Sequence, residues 1–501
     1  MSENTDLPSG LQRKTNWWGA FVIGLAGTVL VTGVAPFAVQ SMGAACIPLF
    51  ILVTGCGVIL CLCLAELAAM MPHRIGGMPA YAFETYRDFG PTVAKHVGGL
   101  SAWSYGLGWF PVAPINMILA ARYITTLWGI PLGSEFAPIS STINTTVLWI
   151  SIAGLLALFV PCYLGIRLGA SFATLLGIVS MVPLTALTIL PLFNPKTIHW
   201  ENISGFSLAD PQNSTLSFFI SWVFIMTWSV LAMEAAACYL GECREPERDA
   251  RIAMSASAFF GFFIYAALPL MLVLVLGRAE TDPLTAFLAF TEAIFGAGGW
   301  VRWAIGIPLV VALLLSVLNA IMGCSRSLYQ VAHDGLLPRF FCHTNRYGVP
   351  DRAMAFNLVA SLLVVFFGSP FEIYIFSNMG YLLSVSLALI GYFLYRHWHP
   401  ELERPVKMPG FLRFVALGLG LFFLFVWIYG GYHAADIAVA AGKRWLFFLG
   451  LGIIMLYWPL YGYRRLVEGV GDSAVAEEPR EANLAVRSLS SETESSIQSR
   501  D

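Results

Sequence analysis

Charge is scarce in this 501-residue chain: only 12% of its residues are Asp, Glu, Lys or Arg. Soluble domains carry about 25%, and a protein this long with so few charges cannot cover its surface against water. A basic excess is missing too, since 28 Lys and Arg face 30 Asp and Glu. No nucleic-acid partner is therefore expected. Nine cysteines, an odd number, lie mostly inside apolar runs, as at Cys46, Cys56, Cys61, Cys63, Cys238 and Cys324. That placement argues against a disulfide framework and against a Cys/His metal site. Neither a metal nor a cofactor is expected. None of the eight histidines falls inside an apolar stretch, although His73, His96, His397 and His433 border one. A membrane-embedded enzyme needs a nucleophile–base pair or metal ligands at one depth, so enzymatic activity is not expected.

Hydrophobicity, in contrast, is abundant: 57% of residues are apolar and the mean hydropathy is +0.72. The lipid bilayer is the expected solvent. About 20 apolar residues cross its core of about 30 Å. Twelve such stretches lie near 17–40, 45–71, 97–126, 144–164, 170–193, 215–240, 250–277, 299–329, 353–369, 371–395, 409–432 and 444–463. The fold class is thus all-α integral membrane with 12 transmembrane helices. No cleavable signal peptide is expected, because residues 1–16 are polar and the first apolar stretch is too long.

Of the 28 Lys and Arg, 22 fall in segments that share one side; the others are Arg122, Lys196, Arg278, Arg302, Lys443 and Arg444. The positive-inside bias then places both termini in the cytoplasm, in a plasma (cell inner) membrane. Three N-x-S/T sequons, at Asn144, Asn202 and Asn213, fall in outer loops and read as chance occurrences. The Ser- and Glu-rich segment 466–501 reads as a disordered cytoplasmic tail.

Two stretches carry signs of interruption. The first reads Gly27 to Pro36, with Gly33 between and hydroxyls at Thr28 and Thr32. Gly and Pro in mid-span weaken the helical ladder. Backbone freed inside a membrane must be buried in protein or line a cavity, although small residues also mark plain helix packing. The sixth stretch carries Glu234, an ionisable group within the span, shortly after Trp228. Such a group is costly and faces a cavity or a partner. Two roles stand side by side for it: a structural hydrogen bond to unwound backbone, or proton carriage.

Amphipathic segments follow the second stretch, Met78 to Phe89, and the seventh, Leu284 to Phe295. They occupy corresponding places in two five-helix halves. An odd number of spans per half inverts the second half, which is the layout of an inverted-repeat secondary transporter. The halves run over 17–193 and 215–395, followed by a helix pair over 409–463. Helix N-termini at the midplane suit an anion, and C-termini suit a cation. A zwitterionic amino acid carries one of each.

Three blocks then resemble a known family. One is Ala65-Glu66-Leu67-Ala68 with Pro72, Gly76-Gly77, Tyr81 and Phe89-Gly90. A second runs from Glu234-Ala235-Ala236 through Gly241-Glu242 to Pro246-Glu247-Arg248-Asp249 and Ile252-Ala253. The third is Ser325-Arg326-Ser327-Leu328-Tyr329, then Asp334 to Pro338, then Gly348-Val349-Pro350; Arg404-Pro405 also fits. So spaced, the chain resembles the amino acid–polyamine–organocation permeases from about 17 to 463.

The resemblance implies a five-plus-five inverted repeat of the LeuT-like type, with helices 1 and 6 broken, and alternating access around a central site. It implies that a substrate carboxylate meets Thr32 and the Gly33 N–H, and that an ammonium meets carbonyls near Val29, Trp228 and Leu231. Trp228 matches an aromatic that caps the substrate and gates the outer side in similar antiporters. Trp109, Asn116, Ser316 and Asn319 are further candidates for the wall, with Tyr105 and Met233. For Ser316 and Asn319, ordinary interhelical hydrogen bonding is an equal alternative.

The chain also departs from the family. The family's Gly-x-Gly is Val31-Thr32-Gly33, and a further family glycine is Ala232, which narrows the backbone approach. An aromatic of some relatives is Ala320, and the fifth stretch lacks the Lys that some proton-coupled relatives use. The expected function is transport of neutral amino acids by proton-coupled symport or exchange, with Trp228 and Glu234 as gating or proton-linked residues. The alternatives are an amine or polyamine permease and a non-transporting amino-acid sensor. The oligomeric state is not legible.

Overall fold

Apolar runs without charge fold as helices because a backbone in lipid must satisfy its own hydrogen bonds. The computed structural model describes residues 15–72, 74, 76–165, 170–204, 216–278, 281–296 and 299–469. The expected tails therefore lie almost wholly outside the described residues, as do Asn213 and Arg167.

The chain begins with α1 (Trp17–Gly24), a 3₁₀ segment (Leu25–Leu30) and α2 (Val31–Met42). Next come α3 (Cys46–Met70), α4 (Met78–Thr85), α5 (Pro91–Trp109) and α6 (Val112–Trp128). Strands β1 (Glu135–Phe136) and β2 (Ile143–Asn144) pair antiparallel in the following loop. Then follow α7 (Thr145–Tyr163), α8 (Ala170–Phe193), the short α9 (Glu201–Ser204) and α10 (Leu216–Val230). A second 3₁₀ segment (Leu231–Glu242) leads to α11 (Pro246–Leu276), α12 (Ala286–Phe295) and α13 (Trp300–His333). The chain continues through α14 (Asp351–Val365), α15 (Pro370–Trp398), α16 (Leu412–Phe425) and α17 (Gly431–His433), and ends with α18 (Trp445–Met455) and α19 (Tyr457–Leu466).

Nine helices among the described residues are long and apolar enough to cross a membrane, or ten if one bent pair counts as one span. The expected number was twelve, and part of the difference is geometric. Trp17–Met70 counts once although it has 54 residues, roughly 81 Å of helix against a core of about 30 Å. Gly43, at φ 56°, turns the chain inside it. At the other extreme, α14 has only 15 residues. Both amphipathic segments are helical, as α4 and α12. Phe110 and Pro111 separate α5 from α6 with the backbone still right-handed helical, so Pro91–Trp128 counts as one span.

Neither suspected interruption is an open gap. The backbone stays right-handed helical at Leu30, Val31 and Val230. The change is from α to 3₁₀ hydrogen bonding, which is a poorer geometry that often marks a hinge. Pro36, expected to contribute to the break, is instead accommodated inside α2. The two 3₁₀ segments meet backbone to backbone. A side chain at Gly27 would collide with the Ala232 carbonyl, and one at Gly24 would come 2.8 Å from the Ala236 nitrogen. The close approach expected to suffer from Ala232 is thus kept by glycines on the opposite segment.

The two ends of the described chain share a face, called the terminal face below. Thr15 N–H donates to the Glu242 carbonyl at 3.2 Å, and Arg244 N–H to the Thr15 carbonyl at 3.1 Å. From there α11 runs away and α13 returns, and just beyond α13 the Arg339 N–H donates to Glu468 at 2.9 Å. Several histidines expected to border spans lie on helices that extend further than the apolar pattern, such as His96 on α5 and His397 on α15.

Candidate functional site

Tyr265 of α11 ties the two 3₁₀ junctions together. Its hydroxyl lies 3.0 Å from the Gly27 carbonyl, 2.7 Å from the Ser229 carbonyl and 3.1 Å from Ser229 Oγ. A hydroxyl has a single proton to donate, so it serves one carbonyl at a time and centres both. Tyr265→Phe should therefore cost about 1–3 kcal/mol of stability, read as a lowered Tm in detergent. An unchanged Tm would show that the junctions hold themselves.

Around this bridge the buried side chains form two aromatic layers. In one, the Trp228 ring packs 4.9 Å from the Tyr374 ring of α15. The Trp228 indole N–H donates to the Gly108 carbonyl at 2.9 Å, so this side chain is not turned to lipid. Gly33 completes the layer: a side chain there would collide with the Tyr374 hydroxyl and reach within 3.2 Å of Leu119 Cδ1.

The other layer surrounds Glu234. Tyr105 of α5 and Tyr381 of α15 donate to Glu234 Oε1 at 3.0 and 3.2 Å. The Trp109 indole also faces this carboxyl group, but neither its N–H nor Glu234 Oε2 makes a hydrogen bond of good geometry. Tyr374 and Tyr381 are seven residues apart on one helix, a rise of roughly 10 Å, so the layers sit at different depths along α15. The Glu234 layer is the one nearer the terminal face. A small cavity opens on that face beside Gly76, Phe83, Ser327 and Asp334. Gly76 connects it to the layer: Cys238 Sγ lies 3.8 Å from the Gly76 carbonyl and 3.1 Å from the Tyr105 hydroxyl.

The other sequence candidates are placed differently. Thr32 Oγ1 donates to the Val29 carbonyl at 2.8 Å, so these two satisfy each other within the helix. Asn116 donates to Ser316 Oγ at 2.7 Å, joining α6 to α13. Asn319 accepts from Tyr239 at 2.5 Å, one turn nearer the terminal face than Ser316 and away from the Trp228 layer. Leu231, named for its carbonyl, and Met233, a wall candidate, have side chains on another side of the second 3₁₀ segment. They pack against α3 at Gly57, and Met233 also meets α11 at Gly261.

Sequence reasoning missed Tyr265, Tyr374, Asn378 and Tyr381. The last three recur at spacings of four and three, the signature of one helix face, within α15. Asn378 Nδ2 donates to the Phe224 carbonyl and to Thr227 Oγ1, while its Oδ1 is buried without a partner.

The amino acid permease family model matches residues 16–456. The chain belongs to that family. Among curated relatives, the permease is 26% identical over 223 residues to the glutamate/γ-aminobutyrate antiporter of Lactococcus lactis subsp. lactis (strain IL1403), covering 40% of this chain and 41% of that protein. It is 22% identical over 317 residues to a probable polyamine transporter of Arabidopsis thaliana, covering 61% of this chain and 59% of the relative. The match thus spans about two-fifths to three-fifths of these two relatives. Among solved structures, the manganese transporter of Eremococcus coleocola in complex with an aromatic bis-isothiourea substituted compound shares the fold. Its TM-score is 0.57 at 10% identity, covering 90% of this chain and 94% of that one. The permease is a transporter by family, not an enzyme.

The family's sequence blocks meet in space on the terminal face. Glu66 at the end of α3 accepts from Arg404 Nε at 2.9 Å, the Tyr392 hydroxyl at 3.0 Å and the Met408 N–H at 3.0 Å. Arg396 Nε lies 3.3 Å away. Glu242, ending the second 3₁₀ segment, pairs with Arg326 of α13 at 3.3 Å.

Proposed function

We propose that this permease carries amino acids across a plasma membrane by alternating access, binding them between the Trp228 and Glu234 layers. The supporting observation is the set of buried polar atoms without hydrogen-bond partners. Tyr374 O–H and Trp109 N–H are donors; Glu234 Oε2 and Asn116 Oδ1 are acceptors. A zwitterion presents an acceptor and a donor, so it can satisfy both kinds, whereas a plain amine satisfies only the acceptors. No Lys or Arg belongs to either layer as described, which favours a neutral side chain. The manganese of the structural neighbour does not transfer: among the described residues no cluster of three His, Cys, Asp or Glu could hold a metal ion.

Twelve crossings in a five-plus-five inverted repeat, with both termini cytoplasmic, place the terminal face inside the cell. Trp228 and Tyr374 then close the outer route. Tyr105, Glu234 and Tyr381 close the inner one, above the cavity at Gly76. Coupling is by proton symport or by exchange, and Glu234 is the group that would take the proton. A second reading, an amine or polyamine permease, is favoured by the polyamine transporters among the relatives and by the unpaired oxygen of Glu234.

Radiolabelled uptake into proteoliposomes tests transport. Saturable flux of an amino acid is expected, while saturable binding without flux would mark a sensor. Trp228→Ala should abolish flux while the protein still inserts. Full uptake by that variant would remove Trp228 from the gate. Internal acidification accompanying uptake distinguishes proton symport from exchange.

A further inference from the structure

Of the two donors that the resemblance suggests for the carboxylate end, Thr32 and the Gly33 N–H, the side-chain donor is engaged elsewhere. Thr32 has spent its proton on the Val29 carbonyl, 2.8 Å away. Both protons of Asn378 Nδ2 are spent on Phe224 and Thr227, and the Trp228 N–H on Gly108. Tyr374 is different. It is only 1% exposed, and its hydroxyl makes no hydrogen bond. That hydroxyl reaches the space a Gly33 side chain would fill, in the first turn of α2, which starts at Val31. A buried O–H aimed at that point lacks only an acceptor.

We propose that Tyr374 determines specificity: its O–H donates to the substrate carboxylate held over the start of α2, selecting amino acids over the amines that lack this group. The proposal rests on the amino-acid reading of the site. It assigns recognition of the carboxylate to α15, outside both 3₁₀-containing segments, and leaves the Glu234 layer to the other end of the substrate. The Trp228 ring, packed at a tilt against Tyr374, fixes the hydroxyl's position.

Tyr374→Phe removes the hydroxyl and keeps the ring on Trp228. Wild type and variant, purified and reconstituted, would be tested for binding of the proteinogenic amino acids, each beside its decarboxylated amine, such as leucine beside 3-methylbutylamine. A hydrogen bond to a charged group predicts that amino-acid affinity falls roughly tenfold or more, with amine affinity changed less than about twofold. Equal losses for both members of a pair, or no loss for the amino acid, would overturn the role of Tyr374. A wild type that binds amines and no amino acid would overturn the reading of the site itself. The unliganded Tm of the variant checks folding, and a ligand-induced shift in Tm gives a second measure of binding.

Discussion

A Gly33→Leu permease reaches the membrane but carries no measurable substrate. The added side chain starts inside the Tyr374 hydroxyl and runs on toward Leu119. Neither neighbour can yield freely, since Tyr374 is packed against Trp228 and Leu119 is fully buried. Overpacking of this kind costs about 1–3 kcal/mol, which the membrane-embedded fold can absorb. The site cannot, because the intruding carbons occupy the ground assigned to the carboxylate. Uptake should fall roughly 100-fold or more, measured per inserted molecule, with an undisturbed elution profile in detergent. Normal uptake by a well-expressed Gly33→Leu protein would dismiss the central site.

The second large effect is on stability. Glu66→Ala should cost about 3–5 kcal/mol and sharply reduce the yield of folded protein. Its carboxylate is fully buried and holds the Arg404 and Arg396 side chains, the Tyr392 hydroxyl and the Met408 N–H. Removing it strands two guanidinium groups in a site closed to water. Glu66→Gln keeps an acceptor and should recover part of the loss. The double variant Glu66→Ala, Arg404→Leu should lose less than the sum of the singles, because the second change removes a charge the first has stranded. Thermal denaturation in detergent reads all four proteins; strict additivity would mean the pair contributes nothing jointly.

Those two residues also show what could be read from the chain alone. Glu66 and Arg404 both stood out as family positions, yet they are 338 residues apart, and no local pattern announces such a pairing. Glu234 and Trp228 were legible because a carboxylate inside an apolar stretch has few explanations. Tyr374 and Tyr381 were not, since a tyrosine in a membrane helix has an apolar ring that packs like any other core residue. Only its hydroxyl's surroundings set it apart. The interruptions were read from glycine and proline, which locate weakness in a ladder but not the form it takes. Pro36 proved tolerable, whereas the tightening began at Leu25 and Leu231, where glycines let two backbones touch. Met233 packs in a way the chain alone does not announce: its side chain lies against Gly57 and Gly261. A flexible thioether fills whatever gap the neighbouring glycines leave.

The pairing of Thr15 with Glu242 and Arg244 carries a practical corollary. The chain just ahead of the first membrane helix is buttoned onto the end of the sixth, so the two cannot part at this face without undoing that clasp. A fluorophore placed immediately before Thr15 would report the motion of both segments through a single label. A bulky fusion at the same point would act as ballast on both.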